Sequence, residues 1–407
     1  MANRKLGCWI LGAKGGVSTT MLVGVNAIRK GLASAAGLVS ENAPFNQLGL
    51  IPLEDIVWGG YEIRNISLYD SALEVEAQTG TLGYATLNAV KTELDSINTE
   101  IKDGLTLNCG QVVDDLADHE LQKNHLPLAE AVQTIQQDLQ DFVERHHLDH
   151  LVMLNLASTE AFQPHLFEVP SYHSLEELHR VIQTDQRENI AASSLYAYAA
   201  LDLGYGYVNF TPSIGSDTPA LDQLARERNT NHMGKDGKTG ETLMKSVLAP
   251  MFVMRNMPVL SWAGFNILGD RDGQILNDPI NKQSKLKSKD QTIHEILGEQ
   301  TYTKTMIEYV PSLDDWKTAW DHIHFKGFLD TKMILQFIWQ GCDSILAAPL
   351  ALDLIRFTDF AKQQGEAGLQ PHLACFFKSP QGVEEFSLHH QYQLLVDYAK
   401  AKLKIRD

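Results

Sequence analysis

The chain has 407 residues, of which 44% are hydrophobic, and it carries a formal net charge of −17 at pH 7. That length can bury a sizeable core, so the sequence predicts two interleaved or consecutive domains. Because the charge balance is acidic and basic residues form no long stripe, nucleic acid and anionic membrane surfaces are excluded as main partners. No apolar run reaches the length of a membrane span and the four cysteines are scattered, so the expected location is the cytoplasm.

The first predicted element is a strand over 7–11, which ends in the glycine turn "GAKGGVSTT" and leads into a helix. A phosphate loop of the ATPase type needs a lysine directly before the Ser or Thr that holds magnesium, and here Val17 precedes Ser18. The spacing also departs from the G-x-G-x-x-G pattern of dinucleotide folds. Backbone N–H groups at the start of the helix can nevertheless receive a pyrophosphate, because the helix dipole favours anions.

Strand and helix signals alternate through the first part of the chain. Apolar segments over 148–157 and 205–212 predict buried strands, and "SSLYAYAALDLG" between them predicts a helix capped by Ser193 or Ser194. This alternation predicts an α/β fold with a parallel sheet. Residues 96–135 show too little periodicity for an assignment.

A different pattern begins near residue 243, where one helix is followed by several strand-like segments with few helices between them. We therefore predict a sheet-rich α+β domain over 243–340, whose apolar strands pack between subunits. The helices after residue 341 are expected to pack back on the first domain. A discontinuous unit of 1–242 and 341–407 is thus predicted to form a Rossmann-like dinucleotide-binding domain.

Three segments between residues 231 and 290 carry groups suited to phosphate and proton chemistry. "GKDGKTGET" places hydroxyls and Lys238 just ahead of a helix, which suits a phosphate monoester. "FNILGDRDG" gathers an amide, two carboxylates and an arginine in one tight turn. In "SKLKSKD", Lys285 and Lys289 are four residues apart. A solvated helix face is the ordinary explanation for such a pair, although crowded ammonium groups can also carry protons or stabilise an oxyanion.

The order of these segments resembles the myo-inositol 1-phosphate synthases. Their patterns G-D-D-x-K-S-G-Q-T, Y-N-H-L-G-N-N-D-G and S-K-x-x-S-K correspond to the three segments, and "DDWKTAW" and "CDSILAAPLALDL" correspond to G-D-S-K and E-D-S-L-L-A-x-P-L. Upstream, "APFNQLGLIPLEDIVWGGYEIRN" resembles A-P-F-N and V-F-G-G-W-D-I-S, and "LNLASTEAF" resembles L-W-T-A-N-T-E. The resemblance extends over nearly the whole chain.

The resemblance implies an isomerase that converts glucose 6-phosphate into inositol 1-phosphate with NAD, which is consumed and regenerated within one turnover. The implied steps are removal of a hydride from carbon 5, abstraction of a proton from carbon 6, aldol closure onto carbon 1 and return of the hydride. It also implies that the domain over 243–340 is catalytic and that the protein is a homotetramer.

The residues predicted to form the site, from their segments and from the resemblance, fall into three groups. The catalytic group consists of Lys285, Lys289, Lys317, Lys378, Asp236, Asp272 and Asp343. The group expected to hold the substrate phosphate consists of Lys238, Thr239, Gly240, Thr242, Asn266, Asp270 and Arg271. The group expected to hold NAD consists of Gly12, Gly15, Gly16, Val17, Ser18, Thr19, Glu62, Ala157, Ser158, Thr159, Asn209 and Pro212.

Departures from the family's patterns leave other hypotheses open. Glu241 stands where the family has Gln, Arg271 enters the G-N-N-D-G turn, and "NFTPSIG" replaces N-G-S-P-Q-N-T. They favour, as a second hypothesis, a diverged relative that cyclises or epimerises another sugar phosphate. A third is a non-catalytic NAD-binding homologue, against which the four retained lysines argue. No metal site is predicted, because His322 and His324 lack a third ligand in pattern.

Overall fold

Two sheets of different kinds organise the chain, whose computed structural model describes residues 4–161, 164–269, 273 and 292–404. Within these residues the strands are β1 (Leu6–Leu11), β2 (Ile56–Glu62), β3 (Ile101–Asp103), β4 (His150–Asn155), β5 (Gly206–Asn209), β6 (Asn231–Gly234), β7 (Val259–Leu268), β8 (Tyr302–Tyr309), β9 (Trp316–Lys326), β10 (Lys332–Cys342) and β11 (Gly368–Leu369).

The larger sheet is parallel and has the order β3-β2-β1-β4-β5-β6-β11 among the described strands. The first six strands follow the order of a dinucleotide-binding fold, whose strand order reverses between β1 and β4. Ligands of such sheets bind beyond the carboxyl ends of the strands at this switch point. The predicted Rossmann-like fold is therefore confirmed.

The longer helices connect these strands and cover both faces of the parallel sheet. They are α1 (Gly16–Arg29), α2 (Leu68–Thr79), α3 (Tyr84–Asn98), α4 (Leu128–His146), α5 (Leu175–Gln183), α6 (Ala192–Asp202), α7 (Pro219–Glu227), α8 (Gly240–Met254), α9 (Asp343–Gln363) and α10 (Leu388–Lys404). Single helical turns lie over Gln111–Asp114 and Pro170–His173. Because both faces are covered, β1 and β4 are buried at every residue, which explains their continuous apolar sequences.

The smaller sheet has the order β10-β9-β7-β8, in which β7 and β8 are parallel and the other pairs are antiparallel. One face packs on α8, where Trp262 and Ile323 join Phe252 in a separate buried cluster. The opposite face leaves Ile334 and Ile338 of β10 exposed, at 57% and 71% of their surface. The predicted sheet-rich segment is thus confirmed as a second sheet.

One local prediction is wrong. Helix α6 begins at Ala192 after Ala191, and no side chain of the capping residue bonds to it, so neither Ser193 nor Ser194 is its cap. No described helix is long and apolar enough to cross a membrane. The stretch 96–135, left open from sequence, contains the end of α3, the short strand β3 and the beginning of α4.

Candidate active site

A single continuous pocket of about 290 Å³ lies at the carboxyl ends of the parallel strands. Its lining includes the glycine turn after β1 as well as Asp236, Lys378 and Asp343. The loops after β4 and β5 also contribute to the lining. Residues predicted to hold a cofactor and residues predicted to be catalytic therefore share one cavity.

The glycine turn brings the chain close to the neighbouring loop. Gly12 has a φ of +74°, and a Cβ there would lie 2.9 Å from the Cα of Ala157, so a larger residue is excluded. Helix α1 begins at Gly16, its capping residue Gly15 makes no side-chain cap, and its first turn carries no acidic residue. A Cβ on Gly16 would meet nothing within 4 Å. This helix N-terminus can therefore accept an anion through its backbone N–H groups.

Glu62 ends β2, where dinucleotide folds place a carboxylate for a ribose diol. One carboxylate oxygen accepts a hydrogen bond from the backbone N–H of Lys14 at 2.8 Å. The other accepts from the N–H groups of Ile63 and Arg64 at 2.8 and 3.2 Å. These bonds fix the carboxylate against the glycine turn while it lines the pocket.

Most residues predicted to hold NAD line this pocket, and the others shape its loops. Those in the lining are Gly12, Gly15, Gly16, Val17, Glu62, Ala157, Ser158, Thr159 and Pro212. The Ser18 hydroxyl donates to the carbonyl of Gly12 at 2.7 Å, and the Thr19 hydroxyl lies 3.2 Å from that of Ser71. The Asn209 amide donates to the carbonyl of Ser213 at 2.7 Å, which closes the loop after β5.

Lys378 and Asp236 form a buried ion pair in the lining of the pocket, with the ammonium 2.8 Å from a carboxylate oxygen. A short antiparallel pairing of their two backbone segments aligns them. The N–H of Lys378 donates to the carbonyl of Asp236 at 2.7 Å, and Gly237 pairs with Phe377. This pairing joins residues after β6 to residues after the short 3-10 helix Pro371–Phe376. Two distant parts of the chain therefore hold the ion pair in place.

Asp343 joins the two sheets. It is the first residue of α9 and lines the pocket. One carboxylate oxygen accepts from the Thr239 hydroxyl at 2.9 Å, and the other lies 3.5 Å from the ammonium of Lys317, a buried residue of β9. Predicted catalytic and phosphate-binding residues are thereby brought into contact.

Other residues predicted to bind phosphate lie outside the lining of the pocket. The Lys238 ammonium is buried and donates to the Gln391 amide of α10, and burial lowers the pKa of Lys238 to about 8. This contact departs from the predicted role of Lys238. Thr242 is buried in the first turn of α8, which starts at Gly240, and Asn266 of β7 donates to the carbonyl of Met306 at 3.3 Å.

Glu241, which replaces a glutamine of the family pattern, is directed toward the second sheet. Its carboxylate lies 3.0 Å from the ammonium of Lys245, one helical turn later, and both side chains are buried. A Cβ on Gly264 of β7 would lie only 2.2 Å from the Glu241 carboxylate. The added negative charge is therefore balanced locally by Lys245 and does not line the pocket.

Five predicted site residues lie outside the described residues, and their positions in the pocket stay predictions. They are Asp270, Arg271, Asp272, Lys285 and Lys289.

Asp315 is a pocket residue that sequence reasoning missed. Its carboxylate accepts from the Cys342 thiol at 2.9 Å and from the N–H of Ser344 at 3.0 Å, so it caps the start of α9. Burial raises the pKa of the Asp315 carboxyl, and the neighbouring Asp343 raises it further. Its position two residues before Lys317, in the segment that resembles G-D-S-K, was the available signal.

Phe210 and Glu160 are two further lining residues that were not predicted. A Cβ on Gly237 would lie 2.0 Å from the Phe210 ring, so the ring occupies the space that any side chain at Gly237 would need. Glu160 directly follows the predicted cofactor residues Ala157–Thr159 and is the glutamate of the segment that resembles L-W-T-A-N-T-E, which was the available signal.

A family model described as myo-inositol-1-phosphate synthase, of an NAD-binding family, matches residues 6–400. The chain belongs to the myo-inositol-1-phosphate synthase family. Inositol-3-phosphate synthase 1 of Bacteroides thetaiotaomicron is 34% identical to it over an alignment of 429 positions, which covers 100% of this chain and 96% of that protein. Inositol-3-phosphate synthase of Spirodela polyrhiza is 27% identical, covering 89% of this chain and 77% of that protein.

Solved structures agree with this membership of the synthase family. A myo-inositol-1-phosphate synthase-related protein from Thermotoga maritima superposes with a TM-score of 0.77 at 26% identity, covering 98% of this chain and 99% of that one. Inositol-3-phosphate synthase from Caenorhabditis elegans superposes with a TM-score of 0.85 at 21% identity, covering 98% and 86%. The second likeness shows the shared fold.

Proposed function

We propose that this chain cyclises glucose 6-phosphate to inositol 1-phosphate and uses NAD as a cofactor that is restored in each turnover. The observation that carries the proposal is the continuity of one pocket from the glycine turn to the pair of Lys378 and Asp236. Membership of the synthase family and the 34% identity to a bacterial inositol-3-phosphate synthase support the same reaction.

The residues at the glycine turn suit a dinucleotide. The N-terminus of α1 is free of acidic residues in its first turn, and the open space at Gly16 admits a pyrophosphate. Glu62 is placed to accept hydrogen bonds from a ribose diol. When bound, NAD supplies the capacity to accept a hydride and to return it.

Lysines and aspartates in and beside the pocket lining offer the acid–base groups that the other steps need. We assign Lys378 to the reacting carbons, where its ammonium can stabilise an enolate or, once deprotonated, accept a proton. Asp236 orients Lys378 through their 2.8 Å contact. Lys317, held by Asp343, is assigned to the oxygen on carbon 5, whose charge changes as the hydride leaves and returns.

The substrate phosphate needs several donors in a protein of net charge −17. We assign its binding to the turn at Thr239 and Gly240, with Lys285 and Lys289 as phosphate or alkoxide contacts and with Asp270, Arg271 and Asp272 nearby. The last five residues lie outside the described residues and enter on the sequence alone. Lys238 is left out of this set because its ammonium bonds to Gln391.

We also propose a domain division, an assembly and a location. The cofactor domain comprises 1–242 and 341–407, and the catalytic and oligomerisation domain comprises 243–340. The exposed apolar face that carries Ile334 and Ile338 supports association into a homotetramer. The four free cysteines support a reducing cytoplasm.

The test is incubation of the purified protein with NAD and glucose 6-phosphate, followed by NMR of the products. We expect inositol phosphate to accumulate while no net NADH forms. The same assay with other hexose phosphates tests the diverged-substrate hypothesis. If NAD binds but none of these sugars is converted, the protein is a non-catalytic homologue and the proposal is wrong.

A further inference from the structure

Glu160 is a buried carboxylate in the pocket wall that has no assigned role in the reaction. One carboxylate oxygen accepts a hydrogen bond from the backbone N–H of Ser193 at 2.6 Å. The other accepts from the Ser193 hydroxyl at 2.7 Å. Two short bonds to an ionised acceptor are charge-assisted and hold the carboxylate in one orientation.

Ser193 is the second residue of helix α6, whose N-terminus faces the pocket. The capping residue Ala191 has no side chain that could accept from the first N–H groups of the helix. Glu160, which comes from the loop after β4, therefore supplies the acceptor that a capping side chain normally provides. Its negative charge also lies at the favourable end of the helix dipole.

The same group connects the loop after β5. The Ser193 hydroxyl oxygen accepts from the N–H of Gly215 at 3.0 Å, while the N–H of Glu160 donates to the Ser213 hydroxyl at 3.1 Å. Both loops contribute residues proposed to hold the cofactor, Thr159 in the first and Pro212 in the second. One carboxylate thus joins two cofactor loops to a helix.

We propose that Glu160 is a positioning residue for the dinucleotide: in its ionised form it fixes the loops after β4 and β5 against α6. The inference rests on the proposed function in that it takes NAD as the ligand. Because Glu160 occupies the N-terminus of α6, the N-terminus of α1 remains the place for the pyrophosphate. Glu160 itself carries out no chemical step.

The titration of Glu160 provides a readout that a purely structural residue would not give. Burial raises the pKa of Glu160 above its ordinary value. The groups that face it are the Cys109 thiol and the hydroxyls of Tyr172, Tyr196 and Tyr207, and burial raises the pKa of each of these as well. They stay neutral in mild acid, so the proton taken up there belongs to Glu160. Protonation turns one acceptor oxygen into a donor and removes a bond to Ser193.

The experiment measures NAD binding calorimetrically to the full chain as wild type, Glu160→Gln, Ser193→Ala and the double variant. Glu188→Gln, which removes an exposed charge just before α6, is the matched control. We expect each single substitution to raise the Kd for NAD about tenfold, equivalent to about 1.4 kcal/mol, and the control to leave it unchanged. The double variant should bind NAD no more weakly than the single variants, because all three lose the contact between the Glu160 carboxylate and the Ser193 hydroxyl.

The wild-type Kd should also rise as the pH falls through the raised pKa of Glu160, and this dependence should be absent in Glu160→Gln. Single-variant Kd values within twofold of wild type, or equal pH dependence in wild type and Glu160→Gln, would overturn the inference alone. Failure of the wild type to bind NAD would overturn the proposed function with it. If Glu160→Gln does not fold, Ser193→Ala and the wild-type pH series decide the question.

Discussion

At the scale of single residues, the pair of Lys378 and Asp236 carries the strongest constraint. Both side chains are about 95% buried, so loss of one partner removes a close contact between opposite charges from a medium of low dielectric constant. We expect Lys378→Met to abolish turnover and to lower the free energy of unfolding by about 3–5 kcal/mol. Urea unfolding measures the second effect.

The control for that substitution is Lys91→Met, which breaks an exposed pair with Asp95 on helix α3. Its cost should be about 0.3–0.5 kcal/mol, because water screens exposed pairs. A loss below about 1 kcal/mol in Lys378→Met would contradict the buried-pair interpretation.

Phe210 and Gly237 form a second residue-scale constraint, since the Phe210 ring occupies the space beside Gly237. Gly237→Ala should push the ring into the pocket and lower kcat/KM at least tenfold. Adding Phe210→Ala removes the clash and should restore much of the lost activity. Steady-state kinetics of the two single variants and the double variant test this; a double variant no better than Gly237→Ala would refute it.

At the scale of elements, the start of helix α1 is proposed to bind the pyrophosphate. Gly16→Asp places a carboxylate in the first turn, where it competes with an anionic ligand for the helix N-terminus. We expect a marked rise in the Kd for NAD with little change in Tm, since a carboxylate at this end stabilises the helix itself. Gly16→Asn, of similar size but neutral, is the control. Equal Kd values in both variants would contradict a charge effect.

The elements were predictable from sequence wherever the interactions are local or periodic. The buried runs of β1 and β4 predicted strands, and the four strand-like segments over 243–340 predicted the second sheet. The cap of α6 was missed because its acceptor, Glu160, lies 33 residues before Ser193 in sequence. The contact between Lys238 and Gln391 spans 153 residues, and no local pattern predicts it.

In the candidate site, too, sequence patterns predicted individual residues but not the contacts between distant parts of the chain. Lysines and aspartates were found through the resemblance, and their partners came from the fold: Asp236 beside Lys378, and Asp343 beside Lys317. Neither pairing follows from spacing along the chain, since each joins residues from different elements. Asp315 lies in the segment that resembles G-D-S-K, but its role depends on contacts with Cys342 and Ser344, 27 and 29 residues later, which no local pattern predicts.

At the scale of the whole molecule, the outer face of the second sheet is the proposed subunit contact. Ile338 of β10 is 71% exposed, and Phe265 stacks on Trp320 of β9 with ring centres 5.3 Å apart. Ile338→Glu places a charge in the proposed contact and should shift the protein from tetramer to smaller species, as measured by light scattering after size exclusion.

Lys91→Glu, a charge change at an exposed position of helix α3 and away from this sheet, should leave the tetramer intact. An unchanged mass of the Ile338→Glu variant would mean that the subunit contact lies elsewhere. A monomeric wild type would contradict the proposed tetramer.

For the whole molecule, we propose that the hydride removed from carbon 5 of the substrate returns to the same carbon within one pocket, before any intermediate is released. The most direct measurement uses glucose 6-phosphate with deuterium at carbon 5 and mass spectrometry of the product. We predict inositol phosphate that retains the deuterium, with no labelled NADH in solution. Product without deuterium, or label released as free NADH, would contradict an internal oxidation and reduction.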